Sequence, residues 1–272
     1  MELNLLEVAL NTRTKVLKVA KLANKGHIGS GLSICEIVVA MLASSSDIGS
    51  TKNDRTRIVL SKGHAALAYY AALNEFGIIS DDDLNSYCVN GTKFGTHPDS
   101  AQPGNDFMTG SLGQGIGFGV GSAMASKLQK RQSQTFVVLS DSELNEGSTW
   151  ESLFIAGHNN LKQLVVILDL NGQQAMGKTK DVLRLDGLPN HLEMVGWNCL
   201  SMDGHDVKNL ALACSRKLDD GSKPLLVIAK TIAGKGVSFM EGKVEWHYMP
   251  QTDDQHRQAL EEVGKLWQAA RA

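Results

Sequence analysis

The sequence predicts an α/β protein with a doubly wound, mostly parallel sheet flanked by helices. Four short apolar runs are continuous rather than alternating and rich in β-branched residues, which is typical of strands buried on both faces of a sheet. They alternate with segments whose apolar residues recur at helical spacing, the pattern of βαβ units. The 272 residues, 42% of them hydrophobic, are enough to bury the core of one large domain.

The elements are predicted in the following order. Strands are expected at 57–61 (RIVLS), 135–140 (TFVVLS), 164–170 (LVVILDL) and 225–231 (LLVIAKT). Helices are expected at about 3–23, 33–43, 65–76, 115–130, 149–159, 207–218 and 255–270. Because no repeat or long linker interrupts this order, residues 1–272 are predicted to form a single domain. It begins with an amphipathic helix at about 1–24 and closes with a helical tail at about 252–272.

Charge and cysteine content limit the class of function. The net charge of -2 gives no electrostatic reason to expect nucleic acid or an anionic membrane as a partner. The N-terminal segment carries two acids and has no uninterrupted apolar stretch, so it is not a secretory signal, and a cytoplasmic location is expected. The cysteines are widely spread without a CxxC pair, which favours buried reduced thiols over a disulfide or a metal cluster: Cys35, Cys88, Cys199 and Cys214.

Polar residues follow two neighbouring strands of the predicted sheet. Asp141 comes directly after TFVVLS, and Asn171 directly after LVVILDL. Ligands of such sheets gather outside the carboxyl ends of the strands, where the two side chains would meet. Oxygen ligands suit Mg²⁺ or Ca²⁺, and Mg²⁺ leaves coordination positions for phosphates. The pair therefore indicates a cation that holds a diphosphate.

Two structural alternatives fit the same residues. An acid at a strand end is often the N-cap of the following helix, which would account for Asp141. The dipeptide Asn171-Gly172 is a turn signal by itself. From spacing alone, both alternatives remain open.

The block from Ser140 to Gln174 resembles the thiamine diphosphate signature of the transketolase family, in which an acid at a strand end is followed by a helix and by a strand closing on Asn. Other motifs occur in the order and spacing of that family: GHIGSG at 26–31, LSKGHA at 60–65, THPD at 96–99, TGSLGQG at 109–115 and KTIAGKG at 230–236. The resemblance covers about residues 18–248. It implies the thiamine diphosphate-binding fold of the N-terminal, diphosphate-binding third of a transketolase.

The resemblance implies a site for thiamine diphosphate and Mg²⁺, with Ca²⁺ or Mn²⁺ as substitutes. The implied metal ligands are the side chains of Asp141 and Asn171 and the carbonyl of Gln173. His27, His97 and His247 would act on the sugar, because imidazole can hydrogen-bond and transfer protons near neutral pH. The implied cofactor contacts are His64, Gly110, Leu112, Ser140, Asp141, Ser142, Asn171 and His247.

Other family positions allow two interpretations. Glu146 and Glu151 match acids that link the two active sites at the subunit interface of the family, but they would also be ordinary first-turn helix acids. The GKG segment at 234–236 is either a loop near the diphosphate or a flexible turn. The remaining histidines are expected to be ordinary capped or surface residues: His158, His191, His205 and His256.

Two departures from the family pattern concern the cofactor site. Ser140 and Ser142 stand where the family has glycines that let the main chain pass close to the diphosphate. Each hydroxyl must fit by a small shift or donate a hydrogen bond to phosphate. Met176 stands where the family usually has an acid, which implies a more apolar wall and an unusual substrate.

The length of the chain leaves no room for the pyrimidine-binding and C-terminal domains of a full transketolase. We therefore expect the first subunit of a split transketolase, which would transfer a two-carbon ketol unit from a ketose to an aldose together with a second polypeptide. A two-fold symmetric heterotetramer is the expected assembly. The alternatives are a related thiamine diphosphate-dependent carboligase or lyase of specialised metabolism, and a non-catalytic scaffold.

Overall fold

The computed structural model of the chain describes residues 4–45, 47–48, 50 and 52–271, with the side chains of 269–271 excepted. The predicted start of the first helix at Leu3 lies outside these residues. Within the described residues the strands are β1 Arg57–Leu60, β2 Thr135–Ser140, β3 Leu164–Leu170, β4 Gln173–Gln174, β5 Gly177–Lys178, β6 Asn198–Asp203 and β7 Leu225–Lys230.

The described residues form a five-stranded, fully parallel sheet in the order β1-β2-β3-β7-β6, and β4 and β5 make a separate antiparallel hairpin. The predicted mostly parallel sheet is confirmed, and its four predicted strands occur within one residue of their expected ends. Strand β6 was not predicted from the sequence. This edge strand, NCLSMD, is only partly buried and lacks the continuous apolar run of a central strand.

Helices lie on both sides of the sheet. They are α1 Leu5–Ala23, α2 Ile28–Ser33, α3 Cys35–Ala43, α4 Ala66–Glu75, α5 Asp81–Asn85, α6 Gly115–Leu128, α7 Gly147–His158, α8 Thr179–Val182, α9 Leu188–Met194, α10 Val207–Cys214 and α11 Asp253–Arg271. Each predicted helix is present, but α10 ends four residues before the predicted Leu218. Arg216 has a φ of 57°, a left-handed conformation in which a helix does not continue.

The side chains of successive strand residues point to opposite faces of the sheet and pack into two separate hydrophobic cores. Phe136, Val138 and Ile167 pack with α1, α3 and α4 on one face of the sheet. Val137 and Val166 pack with α6, α7 and α9 on the other face. The strands are therefore buried on both sides, as their uninterrupted apolar sequences predict, and polar residues are left to the strand ends.

The cysteines are all free, as predicted, with Cys35 and Cys214 buried and Cys88 and Cys199 half-buried. Burial raises the pKa of the Cys35 and Cys214 thiols to about 12, so both are inert at neutral pH. Among the described residues, no helix is both long enough and apolar enough to cross a membrane.

Candidate active site

The carboxyl ends of β2 and β3 bring the predicted metal ligands to one edge of the sheet. Ser140 pairs in register with Asp169, so Asp141 and Asn171 leave the two adjacent strands one and two residues later. Thr179 connects the two strand ends: its hydroxyl donates to Asp141, and its amide donates to the carbonyl of Gly172, 3.0 Å away. The juxtaposition predicted from the two strand ends is therefore present.

Asp141 is a buried carboxylate that the described residues satisfy only in part. Asp141 is only 1% exposed. Its Oδ2 accepts a hydrogen bond from the Thr179 hydroxyl, whereas its Oδ1 has no hydrogen-bond partner among the described residues. Burial raises the pKa of Asp141 to about 6. The N-cap of the following 3₁₀ turn, Asp141–Asn145, is Ser140, so the capping alternative does not account for the acid. An unpartnered buried carboxylate oxygen fits a bound cation.

Asn171 has its amide held in one orientation. Its Nδ2 donates to Asp169 at 3.0 Å, while its Oδ1 accepts from the backbone amide of Gln173 at 2.9 Å. The contact with Gln173 is the turn that the Asn-Gly dipeptide predicts, so the turn alternative is correct, and it does not contradict the metal hypothesis. The described residues contain no group of three or more His, Cys, Asp or Glu that could hold a metal ion. A ligand set of one carboxylate, one amide and one carbonyl suits Mg²⁺, which keeps positions for phosphates and water.

The four histidines singled out from the sequence lie together beside this edge. The ring centroid of His27 is 5.6 Å from that of His64, 6.4 Å from that of His97 and 5.4 Å from that of His247. His64 and His247 are 5.2 Å apart. His27 occupies a left-handed conformation with a φ of 60°, its amide bonded to the carbonyl of His247 at 3.2 Å. A non-glycine residue held in this way is a feature of functional sites.

Burial keeps these imidazoles neutral. It lowers the pKa of His64 well below the ordinary value of 6.5 and lowers the pKa values of His27 and His97. Burial and the neighbouring His27 and Lys62 lower the pKa of His247 to about 4. Each ring therefore carries one N–H donor and one acceptor nitrogen at neutral pH. The buried Nδ1 of His27 has no partner among the described residues and is free to bond a ligand.

A cavity of about 340 Å³ connects the histidines with other predicted contacts. Its described lining residues include no Lys or Arg; they are His27, His64, His97, Gly110, Leu112, Ser142, Asn145, Glu146, Gln174, Ala175, Met176, His247 and Tyr248. A smaller cavity lined by Asn171, Gln173 and Ser30 adjoins it, since Gln174 and His247 line both. The imidazoles and the edge that carries the predicted metal ligands therefore belong to one continuous region.

Comparison with known proteins identifies the family of this region. The family described as "Transketolase, thiamine diphosphate binding domain" matches residues 7–270. This chain belongs to the transketolase family. It is similar to an apulose-4-phosphate transketolase subunit of Phocaeicola vulgatus, with 34% identity over 257 residues, 93% of this chain and 91% of that protein. It is also similar to the 6-deoxy-6-sulfo-D-fructose transketolase subunit SqwG of Clostridium sp. (strain MSTE9), with 34% identity covering 88% and 89% of the two chains.

A solved transketolase extends the similarity to the fold. The transketolase of Campylobacter jejuni subsp. jejuni NCTC 11168 superimposes with a TM-score of 0.86 and 28% identity over 97% of this chain, which spans 43% of that protein. The predicted family, fold and transketolase-like enzyme class are confirmed. The individual roles predicted for the site residues stay predictions, although the structure brings most of those residues together.

The two serines that depart from the transketolase pattern have different surroundings. Ser140 is buried and donates to Glu143 Oε2 at 3.2 Å, while Ser142 donates to the Ser140 hydroxyl at 3.2 Å. Ser142 lines the cavity, whereas Ser140 is not among its described lining residues. The Ser140 hydroxyl is thus already engaged inside the protein, so its expected phosphate contact stays a prediction that this arrangement does not favour. Only Ser142 is placed to meet a ligand.

The predicted interface acids and the GKG segment lie next to the cavity or its elements. Glu146 lines the cavity and Glu151 is exposed on α7. Gly113, with a φ of 78°, packs so closely that a Cβ there would lie 2.6 Å from Glu146 Cβ, so this turn requires glycine. The amide of Gly234 bonds the carbonyl of Gly29 at 2.9 Å, and the preceding Ala233 lines the smaller cavity. The loop interpretation of that segment is supported.

The remaining histidines differ from the predicted surface role in one case. His158 and His191 are exposed and His256 is half-buried. His205 instead accepts from the amide of Ile232 at 2.9 Å, while its Nδ1 lies 3.0 Å from Glu36. It fastens the loop that follows β7 to α3.

Several buried polar residues around the site were not predicted from the sequence. Lys62 and Asp169, both at most 1% exposed, form an ion pair beneath the edge that carries the predicted metal ligands. Glu143 is buried and accepts from the amides of Gly113 and Ser140 at 3.0 and 2.9 Å. A signal was available for one of them: Asp169 is the one acid inside the apolar run LVVILDL, and a charge within a buried strand needs a partner.

Proposed function

We propose that this chain is the N-terminal subunit of a split transketolase that depends on thiamine diphosphate and Mg²⁺. With a second subunit it would transfer a two-carbon ketol unit from a ketose to an aldose. The observation that carries the proposal is the unpartnered, buried Oδ1 of Asp141, which follows the strand next to that of Asn171. Asn171 lines the smaller cavity that adjoins the four-histidine cavity. The cytoplasmic location, the single domain and the residue roles predicted from the sequence belong to the same proposal.

The position of each residue in the site suggests its role toward the cation, the diphosphate or the sugar. Asp141, Asn171 and the carbonyl of Gln173 would hold the cation, and through it the diphosphate. When bound, thiamine diphosphate supplies the electron sink for breaking and forming the carbon–carbon bond. His64 and His247 would donate hydrogen bonds to diphosphate oxygens. Because both rings are neutral at physiological pH, they do so without placing further positive charge in the cavity.

His27 and His97 would bind sugar hydroxyls and transfer protons. His97 Nδ1 is already 3.2 Å from the Thr96 hydroxyl, while His27 Nδ1 has no partner among the described residues. Neutral imidazole can accept a proton from a hydroxyl and return it, which is the role of a general base and acid. The lowered pKa values of both rings favour the neutral form that begins such a cycle.

The second subunit is proposed from the relatives and from one exposed surface. Two relatives are named as transketolase subunits and are covered to about nine-tenths by this chain. α6 and α7 pack on each other and expose Phe118, Phe154 and Ile155, which are between 37% and 49% exposed, next to Glu151. This surface continues from Glu146 at the cavity. We assign the pyrimidine-domain subunit to it, in a heterotetramer with two-fold symmetry.

The cofactor assignment is tested by calorimetric titration of thiamine diphosphate with Mg²⁺ into the full chain, alone and with its co-purified partner. Saturable binding that is lost in Asp141→Ala is expected. The matched control is Asp186→Asn, at an exposed acid paired with Arg184, which should bind as the wild type does. A folded wild-type complex without binding would contradict the proposal and favour the scaffold alternative.

The partner surface is tested separately. Phe154→Glu should abolish association with the second subunit, because a charge would have to be buried in the interface. Leu22→Glu changes an exposed leucine on α1, on the opposite side of the sheet, and should leave association intact. Sedimentation velocity of the mixed subunits measures both. Unchanged association of the Phe154 variant would move the interface elsewhere.

A related thiamine diphosphate-dependent carboligase or lyase is the second candidate. The observation that favours it is the cavity mouth, where Met176 is 74% exposed and the Tyr248 ring lies 4.6 Å from that of His247. These side chains make the mouth more apolar than a sugar requires. A panel of ketose and 2-oxoacid donors, assayed with the complex, distinguishes the two reactions.

A further inference from the structure

Beneath the edge that carries the predicted metal ligands, a buried ion pair joins four segments of the chain. Asp169 is the second-last residue of β3, and Lys62 follows β1 two residues before His64. The Lys62 ammonium donates to Asp169, to the Ser33 hydroxyl at 3.0 Å and to the Ser30 carbonyl at 3.3 Å. All three of its protons are thereby used inside the protein, so Lys62 has none left to donate to a ligand.

Asp169 is as fully engaged as Lys62. Besides Lys62, its carboxylate accepts from the hydroxyls of Ser33, at 2.8 Å, and Thr231, and from Asn171 Nδ2 at 3.0 Å. Four donors fill the lone pairs of a carboxylate. The donors come from the segment after β1, from α2, and from the loops after β3 and β7, so one acid connects the segments that carry the candidate site.

The hydrogen bond between Asn171 and Asp169 connects this acid with the proposed cation site. An amide presents oxygen on one side and two N–H groups on the other, and only the oxygen can bind a metal. Because the carboxylate of Asp169 only accepts, it takes the NH₂ side of Asn171, while Oδ1 on the other side accepts from the backbone amide of Gln173, whose carbonyl is the neighbouring predicted ligand. A group that donated at this position would favour the reversed amide.

We propose that Asp169, neutralised by Lys62, is a positioning residue that sets the amide orientation of Asn171 and so the affinity of the cation site. The inference rests on the proposed function. It explains why a charged pair is kept in a place where packed apolar residues are often no less stable. Mutation of a residue that hydrogen-bonds a metal ligand and orients it typically changes metal affinity by about 10- to 100-fold.

Asp169→Asn is the direct test, because it preserves shape and replaces one acceptor oxygen with a donor. Mn²⁺ binding to the complex of the full chain with its co-purified second subunit is measured by electron paramagnetic resonance with saturating thiamine diphosphate. We expect the dissociation constant for Mn²⁺ to rise by about 10- to 100-fold. Thr231→Val is the matched control: it also removes one partner of Asp169 but leaves Asn171 untouched, so its Mn²⁺ affinity should stay within about threefold of wild type.

The exchange variant Asp169→Asn with Asn171→Asp separates orientation from simple loss of stability. The carboxylate introduced at position 171 would present an oxygen whichever way its side chain turns, so the variant should recover most of the Mn²⁺ affinity. The exchange variant also keeps one acid in the buried region, so it remains a usable test if Asp169→Asn alone does not fold. A merely structural ion pair predicts no recovery, because Lys62 still faces an amide.

The outcomes distinguish the two proposals. Wild-type protein that binds no Mn²⁺ would contradict the proposed function and the positioning role together. Wild-type binding with unchanged affinity in Asp169→Asn would overturn the positioning role alone. Equal weakening in Asp169→Asn and Thr231→Val, or no recovery in the exchange variant, would reduce the pair to a structural element.

Discussion

Asp141 and Asp169 are buried acids at the ends of adjacent strands, but they differ in how many hydrogen bonds their carboxylates accept. Asp169 is fully buried and accepts from four side chains, one of them the ammonium of Lys62. Asp141 accepts from the Thr179 hydroxyl, and its second oxygen has no hydrogen-bond partner among the described residues. Burial without a partner disfavours a carboxylate, whereas a complete set of donors compensates for burial. The comparison separates an acid that supports the fold from one left open for a ligand.

The largest effect should come from breaking the satisfied pair. Lys62→Met leaves the Asp169 carboxylate buried without its cation, and removing one partner of a buried ion pair costs about 3–5 kcal/mol. The free energy of unfolding, measured in urea without cofactor, should fall by that amount. Lys180→Met, at an exposed lysine, is the control and should change it by less than about 0.5 kcal/mol. If the free energy of unfolding of Lys62→Met fell by less than about 1 kcal/mol, Asp169 would not be the fold-supporting acid of the two.

Asp141 should respond in the opposite way. Asp141→Asn replaces an unpartnered charge with a neutral amide that still accepts from Thr179, so the ligand-free protein should be at least as stable as wild type. Thiamine diphosphate with Mg²⁺ at about 100 times the dissociation constant should add about 2.7 kcal/mol to the wild type. The variant should gain almost nothing under the same conditions.

Thermal and urea unfolding with and without ligand measure both halves of this prediction. Asp186→Asn again provides the acid-to-amide control and should gain stability from the ligand as the wild type does. A ligand-free Asp141→Asn protein that is clearly less stable than wild type would show that the acid supports the fold. The open oxygen would then need another explanation.

The same comparison shows what could be predicted from sequence. Both Asp141 and Asn171 were predicted as a pair because parallel strands deliver their carboxyl ends to one edge. The family motifs located the four histidines. Lys62 and Asp169 were missed, since their importance depends on which hydroxyls surround them, and those hydroxyls are distant in sequence: Ser33 and Thr231.

The fold shows a similar division. The buried strands were predicted to within one residue because two-sided burial imposes an uninterrupted apolar run. The edge strand β6 and the short helices α2, α5, α8 and α9 carry no such run or too few turns for periodicity. α2 depends on a tertiary contact, the bond from the Gly234 amide to the Gly29 carbonyl, whereas α5 begins with a local capping box of Ser80 and Asp83 that was overlooked in the sequence.

Acidity offers a further test, extending the comparison to the imidazoles. The pKa of His247 is lowered to about 4 and that of His64 well below 6.5, so between these values and pH 6.5 both histidines bind more protons in the unfolded chain than in the folded one. The histidine contribution to stability should therefore fall as the pH drops from 6.5 toward 4, by at most about 1.4 kcal/mol per pH unit for each histidine, while Asp141, whose pKa is raised to about 6, contributes in the opposite direction. The share of His247 should be smaller than this limit, because its ring is only half-buried and solvent screens part of the effect.

His247→Gln isolates one contribution, since the buried acids titrate equally in both proteins. Urea unfolding between about pH 7.5 and about pH 4.5, a range that spans the ordinary histidine pKa, should give a shallower loss for the variant. His191→Gln changes an exposed histidine and should retain the wild-type slope. Parallel slopes for His247→Gln and wild type would mean that His247 takes up its proton in the folded protein as readily as in the unfolded chain.

The smallest effect concerns the serines that flank Asp141. Ser142 lines the cavity and its hydroxyl already donates to Ser140, so its Cβ only narrows the approach to the diphosphate. Ser142→Gly should tighten thiamine diphosphate binding by about 2- to 5-fold, which is less than about 1 kcal/mol. Ser140→Gly removes a buried hydroxyl bonded to Glu143 and should instead cost about 1 kcal/mol of stability. Calorimetry and urea unfolding separate the two. Weaker binding in Ser142→Gly would mean that this hydroxyl turns to the diphosphate and replaces the contact of a glycine backbone.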